Sequence, residues 1–261
     1  MNKDFKKSNF AAAFLFLNSK KRYALSIIYS FMRNADDCVD IKKNKNYIDE
    51  LRHKISDLYL GRAVDDLLLK QLKEVIDEYK IPQHTFIELL RGLEKDTQNI
   101  DIKTLHELED YMYCVAGTVG EIILKIVDYK GKDAQEIATL TGYAVQMTNI
   151  LRDIKEDLES NKIYIPLEHR MHFLKSHRIS LESMGFKELF DFEKDIAISY
   201  YTKSDELFAK NKTKELFVPS LMKNLYREML YELNFNNLEK NHKISKYKKL
   251  KAFLTSLREI Y

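Results

Sequence analysis

Gln146-Met147-Thr148-Asn149-Ile150-Leu151-Arg152-Asp153-Ile154-Lys155-Glu156-Asp157 is the stretch on which the reading of this chain turns. Asn149, Asp153 and Asp157 step by four, and Gln146 lies three before Asn149. On a helix, two amides and two carboxylates therefore share one face. The helix under them is rich in apolar residues, so the stretch predicts a packed helix with an acidic face, not a loop or a strand.

A second stretch, far away in the chain, repeats the logic. In Tyr29-Ser30-Phe31-Met32-Arg33-Asn34-Ala35-Asp36-Asp37-Cys38-Val39-Asp40, the residues Tyr29, Arg33, Asp36 and Asp40 step by four, three and four. A phenol, a guanidinium and two carboxylates line one stripe of a helix that also carries Ile27, Ile28 and Phe31. Carboxylates that continue an apolar helix belong where a core opens into a cavity. They are hard oxygen ligands, and Mg²⁺ favours one or two carboxylates completed by water and phosphate oxygens. Two such faces turned toward each other make a cage for several Mg²⁺ ions, with Asp36, Asp40, Asn149, Asp153 and Asp157 as ligands. A cage of that kind handles a diphosphate. Arg33 suits a phosphate fork, and Arg152 and Lys155 lie beside the second stripe. Aspartates spaced i, i+4 on helices are most often solvated surface. Two pairs, each beside an arginine on an apolar helix, outweigh that ordinary reading.

The bulk composition agrees. With 261 residues the chain is long enough for a substantial core. Only seven glycines and three prolines interrupt it, which predicts long helices and few tight turns. The net charge of +3 is too small to point to nucleic acid. No apolar run approaches the roughly 18 residues of a membrane span, and Met1 to Asn9 lacks the apolar centre of a signal peptide. Cys38 and Cys114 form neither a disulfide framework nor a metal knuckle, so a reduced, cytoplasmic protein is expected.

Helices are expected at about 20–40, 47–59, 64–79, 83–96, 105–129, 133–157, 185–211, 218–239 and 244–259, with 41–46 a loop and Asp133 an N-cap. Pro166 holds Lys162-Ile163-Tyr164-Ile165 away from helix at its end. No repeat, linker or strand pattern competes, so residues 1–261 read as a single all-α domain. Inside the 105–129 helix, Ala116, Gly117 and Gly120 bring small residues together at a cost of about 1 kcal/mol per glycine. They serve close helix packing, a smooth wall for a long apolar ligand along Val115, Ala116, Val119 and Gly120, or both.

These motifs, in this order, strongly resemble the squalene/phytoene synthase family of head-to-head prenyl synthases, over roughly residues 8–257. Residues 29–40 look like its first aspartate motif and 113–120 like its glycine-bearing central helix. Residues 146–157 with 162–166 look like its second aspartate motif and lid strand. The resemblance implies an all-α isoprenoid synthase fold with a central cavity. It implies that Asp36, Asp40, Asp153 and Asp157 hold Mg²⁺ on prenyl diphosphates, assisted by Arg33, Gln146, Asn149 and Arg152. Tyr29, Tyr111, Tyr164 and Tyr226 match family tyrosines near the diphosphates. The family usually has Ser where this chain has Asn9, whose amide can still donate. Phe14-Leu15-Phe16-Leu17 resembles the short bacterial members that use farnesyl diphosphate, and Phe10 and Phe14 are placed to shorten the cavity.

The implied reaction joins two prenyl diphosphates through a cyclopropylcarbinyl diphosphate to a C30 squalene-type product. NADPH is needed only if squalene is made, and no glycine-rich dinucleotide fingerprint is present. The alternatives are a phytoene synthase using geranylgeranyl diphosphate, a single-substrate terpene cyclase, and a non-catalytic relative, from which the aspartates would be missing. A monomer or weak dimer is expected. The basic segment 240–251, with Ile244, Tyr247, Leu250 and Leu254 at helical spacing, reads as a solvated helix face or as a peripheral contact with an anionic membrane.

Overall fold

The structure, a computed structural model, describes residues 13–40, 45–97, 100–238 and 244–261, and within these not the side chains of 38–40, 45, 46 and 237. The helices are α1 (Ser19–Asp40), α2 (Lys45–Tyr59), α3 (Leu67–Tyr79), α4 (Gln83–Asp96), α5 (Leu105–Met112), α6 (Thr118–Val127), α7 (Ala134–Glu159), α8 (Leu167–Phe173), α9 (Phe186–Lys210), α10 (Phe217–Glu232) and α11 (Lys246–Ile260). Among the described residues the only pairing of strand type is a single bridge between Asp101 and Ile163.

Local chemistry fixes several ends. Asn18 Oδ1 accepts from the Lys21 amide at 2.9 Å and starts α1. Asp66, Thr104 and Ser245 cap α3, α5 and α11 in the same way. The predicted cap at Asp133 is not made. Its carboxylate is held instead by Asn211 Nδ2 at 2.8 Å, which ties the start of α7 to the end of α9.

The expected 105–129 helix departs from regularity. Tyr113–Gly117 form one π turn between α5 and α6, and the run ends at Val127, with Asp128 in the left-handed region at φ 68°. The π turn sits where α7 comes closest: a Cβ on Gly142 would lie 2.6 Å from the Gly117 nitrogen and 2.8 Å from the Ala116 carbonyl carbon. Glycine here is a contact requirement. Two further expectations need correction. The 218–239 helix stops at Glu232, followed by a 3₁₀ turn at Phe235–Asn237, and α8 was not foreseen.

α7 is the central helix and packs on α6, the π turn, α9 and α10. It contributes Ile137, Ala138, Ala144, Met147, Ile150, Leu151 and Ile154 to a core shared with Phe31, Phe86, Leu108, Ile122, Phe190, Phe208 and Met229. Burying each large apolar side chain is worth about 1.5–3 kcal/mol. The α9–α10–α11 corner is locked by charge: Lys223, fully buried, pairs with Asp205 and with Glu259 at 3.1 Å, and Arg227 joins the same two acids. Between α4 and α8, the 100–102 and 163–167 segments are clasped by Ile102 N to Ile163 O (3.0 Å), Ile163 N to Ile100 O (2.8 Å) and Leu167 N to Ile102 O (2.9 Å). Arg170, fully buried, pins the clasp through Asp101, the Ile102 carbonyl and the His177 carbonyl.

On the outside, Phe16 meets Phe253 and Phe217 with ring centroids 5.3 and 5.5 Å apart. Leu15, Tyr247, Leu250 and Leu254 around them are exposed, whereas Ile244 is buried. No helix among the described residues is long and apolar enough to cross a membrane.

Candidate active site

The two aspartate faces do converge. A cavity of about 470 Å³ is lined by Tyr29, Arg33 and Asp36 from α1 and by Gln146, Asn149, Arg152, Asp153 and Asp157 from α7. Tyr111, Tyr164, Phe14, Val115 and Val119 also line it. Asn9 and Phe10 lie outside the described residues, as does the side chain of Asp40. Tyr226 is not on the wall. It is buried behind Arg152, with which it is hydrogen-bonded, and burial pushes its phenol up to about 12. Arg33 reaches the cavity while pairing with Asp37 at 3.0 Å. Arg152 is clamped on its neighbour Asp153, Nε to Oδ1 at 2.6 Å and Nη2 to Oδ2 at 2.5 Å.

Sequence reasoning missed Asp96, the last residue of α4 and a fourth carboxylate on the described wall. It is a hub: Tyr164 donates to Oδ1 at 2.7 Å, and Tyr111 reaches Oδ1 and Oδ2 at 3.0 and 3.1 Å. The two phenol rings stack with centroids 5.0 Å apart. The signal was present, because Phe86, Leu89 and Leu93 are buried and Asp96 continues their stripe three residues on, as Asp36 follows Ile28 about two turns on. Lys162 was also missed as a wall residue.

Burial raises the Asp96 carboxyl to about 6, with the field of Asp36 adding to the rise and the two tyrosine hydroxyls opposing it. Asp157 rises to about 7, first through burial, then through Asp153 and Asp96, against the pull of Lys162. The same desolvation holds Tyr111 and Tyr164 well above the ordinary phenol range. Burial is the leading cause for both acids, and the neighbouring carboxylates add to it.

The wall fits divalent cations by its charge balance and its oxygen donors. Four acids (Asp36, Asp96, Asp153, Asp157) face three bases (Arg33, Arg152, Lys162), so an incoming diphosphate meets an excess of like charge unless cations come with it. Asn149 Oδ1 is buried and accepts no hydrogen bond, while its Nδ2 donates to Gln146 Oε1 at 3.3 Å. It is an unused hard oxygen beside two aspartates. Among the described residues, no three acidic, imidazole or thiol groups close around a single point. Facing but separated ligands suit Mg²⁺ that is completed by water and phosphate oxygens, not a closed protein cage.

Behind the charged end lies a second, apolar cavity of about 250 Å³. It shares Met32, Val115, Val119, Ile123, Gln146, Asn149 and Met222 with the first. The small-residue run both packs closely and faces a cavity. Ala116 and Gly120 line this cavity, and a Cβ on Gly120 would lie 3.0 Å from Ala138 Cα across the α6–α7 contact.

The squalene/phytoene synthase family model matches residues 6–248. A presqualene diphosphate synthase of Zymomonas mobilis is 29% identical, over 97% of this chain and 89% of its own length. A 15-cis-phytoene synthase of Synechocystis is 30% identical, over 73% of this chain and 62% of its own. The crystal structure of a dehydrosqualene synthase superposes with a TM-score of 0.84 at 26% identity, covering 98% of this chain and 93% of that one.

Proposed function

The chain belongs to the squalene/phytoene synthase family and is a prenyltransferase of the all-α isoprenoid synthase fold, and from that premise we propose that it condenses two molecules of farnesyl diphosphate head to head into a C30 product. The observation that carries the chain length is the reach of the apolar cavity. Its α7 wall runs from Asn149 back through Val145, Gly142 and Ala138 to Ile137. Twelve residues at 1.5 Å of helical rise give about 18 Å. An isoprene unit adds four backbone bonds of about 1.5 Å, roughly 5 Å when extended. Three units, roughly 15 Å, fit this length, and four, roughly 20 Å, exceed it. Phe14, buried, lies on the wall of the adjoining charged cavity.

Asp36, Asn149, Asp153 and Asp157, with Asp40, are the residues that would hold Mg²⁺. Bound there, the metal supplies Lewis acidity toward the diphosphate leaving group. The chain itself supplies the remainder. Arg33, Arg152 and Lys162 face the departing negative charge. Tyr111 and Tyr164, oriented by Asp96, line the charged cavity. Val115, Val119, Ile123 and Met222 exclude the water that would quench an allylic cation. The cation at C1 of one chain is attacked by the double bond of the other, and loss of a proton closes the cyclopropylcarbinyl diphosphate.

The test is incubation of the purified protein with Mg²⁺ and farnesyl or geranylgeranyl diphosphate, with and without NADPH, with products read by mass spectrometry. A C30 product is expected from the first, and its NADPH dependence separates squalene from the intermediate or a dehydro product. A C40 product made in preference, a cyclic C15 hydrocarbon, or no turnover by a folded protein each overturns the proposal. The exposed Leu15, Phe16, Leu250 and Leu254 beside Lys246 and Lys249 support a peripheral site for delivery of an apolar product to an anionic bilayer. Salt-sensitive flotation with phosphatidylglycerol vesicles is the expected result.

A further inference from the structure

The apolar cavity ends beside a different opening. A cleft of about 850 Å³ lies on the far side of α6, between the α3–α4 turn and the α6–α7 connection. Its rim carries Lys20, Lys80, Lys125 and Lys130, and its walls include Ile81, Pro82, Tyr129 and Ala134. The apolar cavity and this cleft have one lining residue in common, Leu124. It is 4% exposed, one turn beyond Gly120 on α6 and close to the end of that helix. Gly120, Ile123, Ile137 and Ala138 on its inner side are apolar or small, whereas the cleft on its outer side carries five lysines together with Glu78, Glu121 and Asp128.

We propose that Leu124 is the floor of the chain-binding cavity and sets the length of prenyl chain the enzyme accepts. The inference rests on the reading that the cavity holds prenyl chains, and it assigns the specificity to one residue. A three-unit chain stops short of Leu124, whereas the fourth unit of a longer chain arrives at it. Shortening this side chain joins the cavity to the cleft and gives the fourth unit somewhere to go. One or two methylenes at such a position discriminate by about tenfold or more.

The experiment is a competition. Wild type, Leu124→Ala, Leu124→Val and Lys125→Ala are each given Mg²⁺ with equal farnesyl and geranylgeranyl diphosphates, and the ratio of C40 to C30 product is read after circular dichroism has established the fold. Leu124→Ala is expected to raise that ratio about tenfold or more over wild type, with Leu124→Val between them. Lys125→Ala, which changes only the cleft, is expected to leave it unchanged. The graded valine variant removes a single methylene and keeps the test open should the alanine protein fail to fold. An unchanged ratio in folded, active Leu124 variants overturns the inference while leaving the condensation reading intact, as does loss of both products in folded variants only. Absence of any condensation product from the wild type overturns the condensation reading itself.

Discussion

Asp157→Asn should stabilise the metal-free protein while destroying its activity. In the folded chain the Asp157 carboxyl is raised from 3.8 to about 7. Between these values the folded state binds more protons than the unfolded one, so stability falls as pH rises from about 4 to about 7 and is level above that. A rise of about three powers of ten in proton affinity corresponds to about 4 kcal/mol at most. Asp157 is only partly buried, and solvent and salt screen the repulsion from Asp153, so about 2 kcal/mol is the expected effect. Asparagine keeps the shape of the neutral acid and has no proton to lose. In EDTA, the variant should therefore melt with wild type near pH 4 and about 4–8 °C above it at pH 8. Excess Mg²⁺ should erase the advantage by stabilising wild type alone. The assay is a series of thermal melts across pH, with and without metal. A stability difference that is the same at pH 4 and pH 8 refutes the reasoning, because it would owe nothing to the charge.

Three further outcomes follow from the geometry. Gly142→Ala should cost about 1–3 kcal/mol in urea unfolding, because the new Cβ meets backbone atoms of Ala116 and Gly117, which have no rotamer to yield. Arg170→Met should cost about 3 kcal/mol by unpinning the 100–102 and 163–167 segments, and should raise amide exchange at Ile102 and Ile163 above that of α7. Tyr164→Phe removes the shorter of the two hydroxyl contacts that hold the Asp96 carboxyl down, so the acidic limb of the rate profile should move to higher pH. A profile that moves to lower pH, or stays in place, counts against Asp96 as the titrating partner.

Much of this was legible in one dimension. The bounds of α1, α4 and α7 lie within two residues of those expected from apolar spacing, because each helix buries a continuous stripe and little else competes for it. The acidic faces carrying Asp36, Asp153 and Asp157 were read from the same stripes, and their convergence on one cavity came with the fold. The failures have physical causes. The π turn at Tyr113–Gly117 is enforced by the approach of α7 at Gly142, a contact 25 residues away that local spacing does not encode. Asp133 is a good cap by composition, but Asn211 takes its carboxylate, a competition decided only when α9 is in place. Asp96 escaped because a lone acid at a helix C-terminus normally points to solvent, and its two phenol partners come from segments 15 and 68 residues further on. Tyr226 shows the reverse error: its neighbourhood was right, but a residue that touches Arg152 from behind does not touch the cavity.

The clasp between Ile100–Ile102 and Ile163 carries a consequence for how the molecule assembles. It joins segments about 60 residues apart, so its closure follows the local helices and waits on their docking. Asp96 precedes the first of these segments by four residues, and Asp157 precedes the second by six. The acids are thus brought within range of one another only at that late step, when most of the apolar surface is already buried and can bear the repulsion. A refolding experiment should find native-like helix content before the binding of any diphosphate, with added Mg²⁺ accelerating the second phase and leaving the first alone.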